Sequence, residues 1–259
     1  MSELPLLQEQ LKRLRLHTMA ALLEPTLAKA AKTQPSYSAF LEGLVQEELA
    51  AKADRSINAR IAKAKFPVVR TLESFDFSWE PDLPVPLIKE LARLDFLERA
   101  ENVVLVGPPG TGKTHLAIAL ALKACGARQR VLFSYLPHLL DQLVAATADH
   151  SLGGRLRDLG KLDLLVVDEL GYLPMDAQRA SLFFQLVSHR YERGATIITT
   201  NKPFDQWGQI FGGDQVMAAA ILDRLLHHCH IIVTHGPSYR MKEKLRYAGL
   251  ETSQEEPVS

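Results

Sequence analysis

The chain has 259 residues, of which 47 % are apolar, and its 30 basic side chains balance its 30 acidic ones. This length and composition are typical of a globular protein with one large core, or with a core plus a small appendage. No run approaches the roughly 18 apolar residues of a membrane span, and the first residues lack the basic start and apolar segment of a signal peptide, so neither a membrane protein nor an exported one is expected. The two cysteines cannot build a disulfide framework and indicate a reducing compartment, so we expect a cytoplasmic protein.

A proline-rich stretch divides the chain. Residues 67–86 contain four prolines, which disfavour a helix there. The preceding region is rich in alanine, leucine and lysine and reads as helical, whereas apolar runs alternate with helical patterns after it. We therefore predict four parts: a small all-α N-terminal domain (1–66), a linker (67–86), an α/β domain (87–251) and a disordered polar tail (252–259).

The N-terminal region is basic, although the whole chain is neutral. Residues 1–70 hold 11 lysines and arginines against 7 acidic residues, a net charge of +4. At 100° per residue, four basic side chains fall on one face of a helix, with two isoleucines roughly opposite. A basic face of this kind suits a phosphate backbone, so we predict contact with double-stranded DNA, largely independent of sequence; a solvated helix face is the alternative. The four predicted DNA-binding residues are Lys52, Arg55, Arg60 and Lys63.

The later part of the chain has five predicted strands and five predicted helices. The strands lie near 103–106, 130–134, 163–168, 195–200 and 230–234, and the helices near 86–99, 113–125, 136–148, 176–193 and 215–227. Alternation of this kind predicts a parallel five-stranded sheet flanked by helices on both faces. Ligands of such sheets bind at the carboxyl ends of the strands, and most of the motifs below fall at such ends.

A glycine-rich segment between the first predicted strand and its helix is the most informative part of the sequence. It matches G-x-x-x-x-G-K-[ST], whose glycines let backbone N–H groups surround phosphate oxygens. Lys113 supplies a charge for the β- and γ-phosphates of a nucleotide, and Thr114 a hydroxyl for Mg²⁺. His115 stands where a dinucleotide-binding loop needs its third glycine, so that class is set aside. The predicted nucleotide-binding segment is Gly107, Pro108, Pro109, Gly110, Thr111, Gly112, Lys113, Thr114 and His115.

Arg155 and Arg157 lie in what we predict to be a loop before the third strand. Such a loop suits the lining of a DNA path in a ring or spiral of subunits. A polar surface loop explains the two arginines equally well.

Two adjacent carboxylates, Asp168 and Glu169, end the third predicted strand. Alternation along a strand sends them in different directions, which suits two roles. Asp168 is predicted to hold the metal, and Glu169 to orient and deprotonate the attacking water. An acidic strand end that merely begins a loop is the alternative. The glycine-rich segment 107–114 upstream, which we call the phosphate loop, favours the catalytic interpretation.

Asn201 ends the fourth predicted strand. From there its amide is predicted to contact the γ-phosphate or the attacking water. The alternative is a turn asparagine, because a lysine and a proline follow it.

Two arginines are candidates for the stabilisation of a phosphoryl transition state. Arg224 lies near the end of the helix before the last strand, and Arg240 lies in a short segment after that strand. The guanidinium fork matches phosphate geometry and can be supplied by a neighbouring subunit. Surface arginines, with Arg224 paired to an acid such as Asp223, are the alternative.

The run His227-His228-Cys229-His230 contains four metal-ligand types in a row. It is expected to straddle a helix end and a strand start, so its side chains should diverge. Paired spacings such as C-x₂-C are absent, and metal binding is not predicted.

Taken together and in this order, the motifs resemble those of AAA+ ATPases. More narrowly, the sequence resembles the IstB family, ATP-binding helper proteins of insertion-sequence transposition that are similar to DnaC-type helicase loaders. The likeness includes the segments 14–23, 71–77, 168–172 and 221–225. It implies a P-loop AAA+ fold with a short C-terminal lid, because only about 25 residues follow the last predicted strand.

The resemblance also implies a role for each candidate residue. Phe75, with Phe77, is placed beside the adenine, although core packing explains both rings as well. Arg224 becomes an arginine finger that acts across a subunit interface. The remaining roles are the Walker A pair (Lys113, Thr114), the Walker B pair (Asp168, Glu169), sensor 1 (Asn201) and sensor 2 (Arg240).

Three hypotheses follow. In the first, an ATPase assembles as a ring or helical filament on duplex DNA and assists a transposase. In the second, the same ATPase core belongs to a replicative helicase loader, whose N-terminal helices bind a helicase. In the third, the protein is an ATP-gated scaffold that rarely hydrolyses ATP, and the intact Glu169 argues against it.

Overall fold

The computed structural model describes residues 3–236, 238 and 239, and the chain forms two compact units. The first unit extends to Ala59 and the second begins at Arg60. Arg240, most of the proposed C-terminal lid and the tail 252–259 lie outside the described residues. Within them, no helix combines the length and the apolar character that crossing a membrane requires.

Three helices make up the N-terminal part: α1 (Glu3–Arg13), α2 (His17–Thr33) and α3 (Tyr37–Ala64), whose last turn belongs to the second unit. In the first unit, Met19 and Leu23 of α2 pack with Leu44 of α3 around a small apolar core. The first turn of α2 lacks a side-chain cap of its own, and Glu48 of α3 supplies one. Its Oε2 accepts the backbone N–H groups of Thr18 and Met19 at 2.7 and 2.9 Å, which satisfies two donors that a helix start leaves unpaired.

The second unit contains a five-stranded parallel sheet. Its strands are β1 (Asn102–Val106), β2 (Val131–Tyr135), β3 (Leu164–Leu170), β4 (Ala195–Thr200) and β5 (Cys229–Val233), in the spatial order β2-β3-β4-β1-β5. The helices are α4 (Val85–Leu91), α5 (Asp95–Glu98), α6 (Lys113–Gly126), α7 (Leu136–Ala148), α8 (Leu152–Gly160), α9 (Ala177–Arg190), α10 (Trp207–Ile210) and α11 (Gln215–Leu226). The predicted parallel sheet flanked by helices is confirmed.

Alternate residues of the strands enter two separate apolar cores, one on each face of the sheet. In β1, Val103 and Leu105 pack with α4, α5 and α6, whereas Val104 and Val106 pack with α7, α8, α9 and α11. The inner strands β1, β3 and β4 are therefore apolar on both sides, as a parallel sheet between two helix layers requires. The rigid sheet fixes the positions of the loops that follow β1, β3 and β4.

Two features of the second unit differ from the prediction. The helix predicted over 86–99 is broken into α4 and α5, because Leu94 adopts a left-handed conformation with φ of 74° between them. Arg155 and Arg157 lie on the helix α8 and not in a loop. Gly153 and Gly154 in its first turn weaken the helical pattern of the sequence. The fold overrides that weakness because Leu156 and Leu159 bury one face of α8 in the core.

Candidate nucleotide-binding site

The loop that joins β1 to α6 has the backbone of a phosphate-binding cradle. Gly107, Gly110 and Gly112 have φ angles of 152°, 86° and 89°, a region that side chains with a Cβ rarely adopt. The loop is also closely covered. A Cβ on Gly110 would collide with the Ser238 hydroxyl, and one on Gly112 would lie 2.6 Å from the Phe75 ring. Glycine is therefore required at both positions for shape as well as for conformation.

Lys113 places its ammonium group inside this cradle. It is 6 % exposed, and its Nζ donates to the carbonyl oxygens of Gly107 and Pro108 at 2.7 and 2.5 Å. The helix α6 begins at Lys113, so the first turn directs unpaired N–H groups and a positive helix end toward the same space. The loop thus concentrates positive charge where a polyphosphate fits.

Asp168 lies at the centre of a hydrogen-bond network beside the loop. It is 1 % exposed, and it accepts the Thr114 hydroxyl at 2.9 and 3.2 Å and the Thr199 hydroxyl at 2.5 Å. Thr199, on the neighbouring strand β4, was not among the predicted residues. A carboxylate and a threonine hydroxyl in contact are oxygen donors of the kind that Mg²⁺ prefers, so the donor set fits that ion.

Glu169 departs from the regular strand. It has a φ of 67°, and the pairing of β3 with β4 shifts register between Val167 and Leu170. Its backbone N–H donates to the Thr199 hydroxyl at 3.0 Å, which holds the irregular backbone in place. Unlike the buried Asp168, its side chain is half-buried and lines the cavity beside the phosphate loop. Strained backbone at such a position is characteristic of functional sites.

Asn201 directly follows β4 and is half-buried. Its Oδ1 is shielded from solvent and has no hydrogen-bond donor among the residues that the structure describes. A buried acceptor of this kind is costly unless a partner satisfies it. The orphaned oxygen is therefore consistent with a donor that belongs to a bound ligand or water.

A cavity of about 300 Å³ adjoins the phosphate loop and is large enough for part of a nucleoside. Phe75 lies on its wall, with its ring 4.8 Å from that of Phe77 and 5.0 Å, edge to face, from that of His115. His115 fixes the preceding segment, since its Nε2 lies 2.9 Å from the Thr71 carbonyl oxygen. Burial, together with the nearby positive Arg70, lowers the pKa of His115, so its neutral form is favoured.

The segment after β5 also contacts the phosphate loop, through residues that the sequence did not identify as site residues. The Thr234 hydroxyl lies 2.6 Å from that of Thr111, and the Tyr239 N–H donates to the Gly110 carbonyl at 3.0 Å. Glu80, which is 3 % exposed, holds this segment in place. Its Oε1 accepts the backbone N–H groups of His235 and Gly236 at 2.5 and 3.4 Å.

Substitution of Glu80 tests whether this anchoring supports nucleotide binding. In Glu80→Ala the backbone donors of the anchored segment lose their acceptor, and we expect the affinity for a fluorescent ATP analogue to fall roughly tenfold. Glu80→Gln keeps an acceptor oxygen and should bind within about threefold of the wild type. Fluorescence anisotropy measures both, with Glu90→Ala, on the exposed face of α4, as the control. A folded Glu80→Ala protein with wild-type affinity would contradict the assigned role.

Arg224 lies at the opposite edge of the sheet from the phosphate loop. It belongs to the end of α11, where the Leu225 carbonyl accepts the side-chain amide of Asn102, the first residue of β1. Five strand residues, about 16 Å, therefore separate it from the loop, which is farther than one arginine side chain reaches. Its guanidinium lies 4.7 Å from the centre of the Phe184 ring, and its Nη1 donates to the Ala220 carbonyl.

The four predicted DNA-binding residues all lie on α3 but differ in their surroundings. Glu48, with a side chain only 3 % exposed, pairs with Arg55 at 2.9 Å and with Lys52 at 3.9 Å. Arg60 is half-buried, and its Nε has no acceptor among the described residues. Lys63 is exposed.

The histidines at the end of α11 do not diverge as expected. The helical conformation extends into His227, with φ of −54° and ψ of −46°, and the ring centres of His227 and His228 lie 4.1 Å apart. The expectation was wrong for these two residues, because a turn between the helix end and the strand start keeps both rings on the surface, whereas Nε2 of His230 lies 2.8 Å from Oε2 of Glu101.

Comparison with known proteins identifies the relatives of this chain. A protein of Pseudomonas aeruginosa, named for insertion sequence IS21 and for ATP binding, is 46 % identical over 253 residues, which cover 98 % of this chain and 95 % of the relative. A protein of Geobacillus stearothermophilus, named in the same way for IS5376, is 40 % identical over 238 residues, covering 92 % and 94 % of the two chains.

Solved structures with this fold include the crystal structure of DnaI, with a TM-score of 0.54 and 22 % identity over 65 % of this chain and 89 % of that one. The replication initiator DnaA, bound to AMPPCP and single-stranded DNA, has a TM-score of 0.55 and 20 % identity over 71 % and 56 % of the two chains. These likenesses establish the AAA+ fold. The profile of the family described as IstB-like ATP binding protein matches residues 9–247, which confirms the resemblance predicted from the sequence. The chain therefore belongs to the family of IstB-like ATP-binding proteins.

Proposed function

We propose that this protein is a Mg²⁺-dependent ATPase that oligomerises on duplex DNA and assists a transposase in insertion-sequence transposition. One observation carries the ATPase part. The phosphate loop, the buried Asp168 and the half-buried Glu169 meet at the same edge of the sheet, with Thr199 bonded to both strand-end residues. This arrangement supplies a phosphate cradle, metal ligands and a base, which are the parts that ATP hydrolysis requires.

Thr114 and Asp168 are the residues that would hold Mg²⁺. Both are oxygen donors, and they already contact each other at 2.9 Å. Bound there, the ion would neutralise charge that develops on the β- and γ-phosphates. Lys113, now bonded to carbonyl oxygens of its own loop, exchanges those acceptors for phosphate oxygens when ATP binds.

Glu169 and Asn201 divide the handling of the attacking water in this proposal. The oxygen of the water attacks the γ-phosphorus while Glu169 accepts a proton from that water. The bond between the γ-phosphorus and the bridging oxygen then breaks, which gives ADP and inorganic phosphate. Asn201 orients the water through its amide, whose oxygen has no donor among the described residues. Glu169 lies near the carboxyl end of β3, and Asn201 directly follows the neighbouring strand β4, which supports their action on one molecule.

The position of Arg224 supports a site that is shared between subunits. Because this arginine lies about 16 Å from the phosphate loop of its own chain, it serves a neighbouring copy. Repeated head-to-tail contacts of this kind produce a ring if they close and a helical filament if they do not. Hydrolysis should therefore increase when the protein assembles.

DNA binding is proposed for the basic residues of α3. Lys52 and Arg55 lie in the first unit, and Arg60 and Lys63 in the second. Lysine and arginine bind the phosphate backbone with little sequence preference, so affinity should fall steeply with salt. The names of the curated relatives tie them to insertion sequences, and on that basis we propose a transposase as the partner and the cytoplasm as the location.

A replicative helicase loader is the second candidate. Its support is the likeness to DnaI and to the DnaC helicase loader, the latter with a TM-score of 0.50 and 22 % identity over 58 % of this chain and 87 % of that one. Likeness at that level concerns the fold alone. The relatives at 40 and 46 % identity are named for insertion sequences, so we favour transposition.

Assembly size on DNA tests the proposal and separates the two candidates. The protein is mixed with a non-hydrolysable ATP analogue and a duplex or single strand of about 50 bases, long enough for several subunits, and is sized by mass photometry. We expect large complexes only with both analogue and duplex, and none for Lys113→Ala. Assembly confined to single strands, or dependent on a helicase, would favour the loader.

A further inference from the structure

Three side chains from two surface segments converge at the amino-terminal edge of the sheet, away from the phosphate loop. Glu192 belongs to the turn after α9, and His227 and His228 follow α11. Nδ1 of His227 and Nε2 of His228 each lie 3.9 Å from Oε1 of Glu192. One ligand atom from each residue lies within 4.8 Å of the others, and all three residues are exposed. We call these three residues the His–Glu cluster.

The chemistry of the His–Glu cluster matches one class of ion. Two imidazole nitrogens and one carboxylate oxygen are ligands of zinc and similar transition metals, whereas Mg²⁺ and Ca²⁺ favour oxygen donors. Ligands of a tetrahedral zinc ion lie about 3.4 Å apart. The two 3.9 Å distances to the carboxylate therefore need a contraction of about half an ångström, and the whole set, within 4.8 Å, needs one of at most about 1.4 Å, which exposed side chains achieve by rotation.

We propose that Glu192, His227 and His228 form a surface site for Zn²⁺ or a related divalent transition metal. Three protein ligands leave the fourth tetrahedral position open to water or to another ligand. This site does not depend on ATP hydrolysis or on the proposed role in transposition.

Tyr191 limits the affinity of the site. Its hydroxyl lies 2.6 Å from Nδ1 of His227, the atom assigned to the metal. Metal binding therefore replaces a hydrogen bond of the metal-free protein. Tyr191→Phe removes that competition and keeps all three ligands, so it should bind the metal as tightly as the wild type or more tightly.

The metal would link the turn after α9 to the end of α11. His227 and His228 lie three and four residues beyond Arg224, so the link would stiffen the last turn of the helix that carries this arginine. The free protein should then unfold at a higher temperature when zinc is present, because ligands that bind the folded state alone stabilise it.

Calorimetric titration of the untagged full chain with Zn²⁺, without nucleotide or Mg²⁺, tests the proposal. We expect one ion per chain at micromolar affinity and a binding at least about tenfold weaker in Glu192→Gln, His227→Ala and His228→Ala. His150→Ala, at an exposed histidine outside the cluster, is the matched control and should bind normally. Visible absorption of the Co²⁺ protein should show the intense bands of tetrahedral coordination in the wild type, in the control and in Tyr191→Phe, and the three ligand variants should lose them.

Several results would overturn the site. Zinc affinity that is equal in the wild type and the three ligand variants would place the ion elsewhere, and the absence of binding below millimolar concentration would remove the site altogether. Loss of binding in Tyr191→Phe would contradict the assigned ligand set. Melting temperatures measured without zinc identify any variant that fails to fold. If a ligand variant does not fold, Co²⁺ absorption of Glu192→Asp, whose carboxylate is on a shorter side chain, is measured in its place.

Discussion

Glu169→Gln is expected to lower the rate of ATP hydrolysis by at least about 100-fold and to leave ATP binding within about twofold of the wild type. Glutamine has the size of glutamate but cannot accept the proton of the attacking water. The bond that holds this position runs from the backbone N–H to Thr199, so the substitution keeps it. The φ of 67° is equally strained for both residues, and the fold should not change. Phosphate release gives the rate, and a fluorescent ATP analogue gives the affinity.

The control for this variant is Glu90→Gln, which removes one exposed carboxylate from the same unit. It should hydrolyse ATP at the wild-type rate. A Glu169→Gln protein that retains more than about a tenth of the wild-type rate would show that another group is the base. The presence of Glu169 would then no longer argue against the third hypothesis, a scaffold that rarely hydrolyses ATP.

Arg224→Ala is expected to lower hydrolysis by the DNA-bound assembly by about 1,000-fold or more, the range measured for arginine fingers. The unassembled protein should change little, because Arg224 lies too far from its own phosphate loop. The folded state should lose the contact with the Phe184 ring, worth about 1 kcal/mol or less, and the hydrogen bond to the Ala220 carbonyl. Arg224→Lys keeps the charge without the fork and should stay strongly impaired.

A mixture of two inactive variants tests whether Arg224 acts across the interface. Arg224→Ala keeps the base, and Glu169→Gln keeps the arginine. In a mixed assembly, an Arg224→Ala subunit beside a Glu169→Gln subunit has a complete site, so about a quarter of the wild-type activity should return in an equal mixture. Arg128→Ala, at an exposed arginine, serves as the single-variant control. A mixture as inactive as its components would argue against a shared site.

Much of the α/β unit was predictable because its signals are local. The strand β3 reads as an apolar run from Leu164, and the loop from Gly107 to Thr114 carries its own pattern. Both depend on residues that are neighbours in the chain, and the parallel topology then places their ends at one edge. Asp168 and Glu169 were also predicted to separate, and the structure shows one buried and the other half-buried.

The residues that the sequence did not predict act through distant contacts. Glu80 anchors a segment more than 150 residues away, and Thr234 meets the phosphate loop from the far end of β5. Thr199 had a signal, since it lies two residues before Asn201 on a predicted strand. Its hydroxyl becomes meaningful only once β4 is known to pair with β3. The same reason applies to Glu192, which no pattern links to the histidines after α11.

Glu48 has a consequence for any attempt to map DNA binding by mutagenesis. Its buried carboxylate neutralises Arg55 and caps α2 at the same time, so the charge and the local fold are coupled at this point. Loss of DNA binding in Arg55→Ala would therefore mix two effects, the removal of a cation and the loss of the nearer of the two cations that pair with a buried acid. Lys63, which is exposed, has no such second role among its described contacts and reports on phosphate attraction alone. Substitution of a basic residue on α3 therefore measures DNA binding alone only where that residue makes no contact that stabilises the fold.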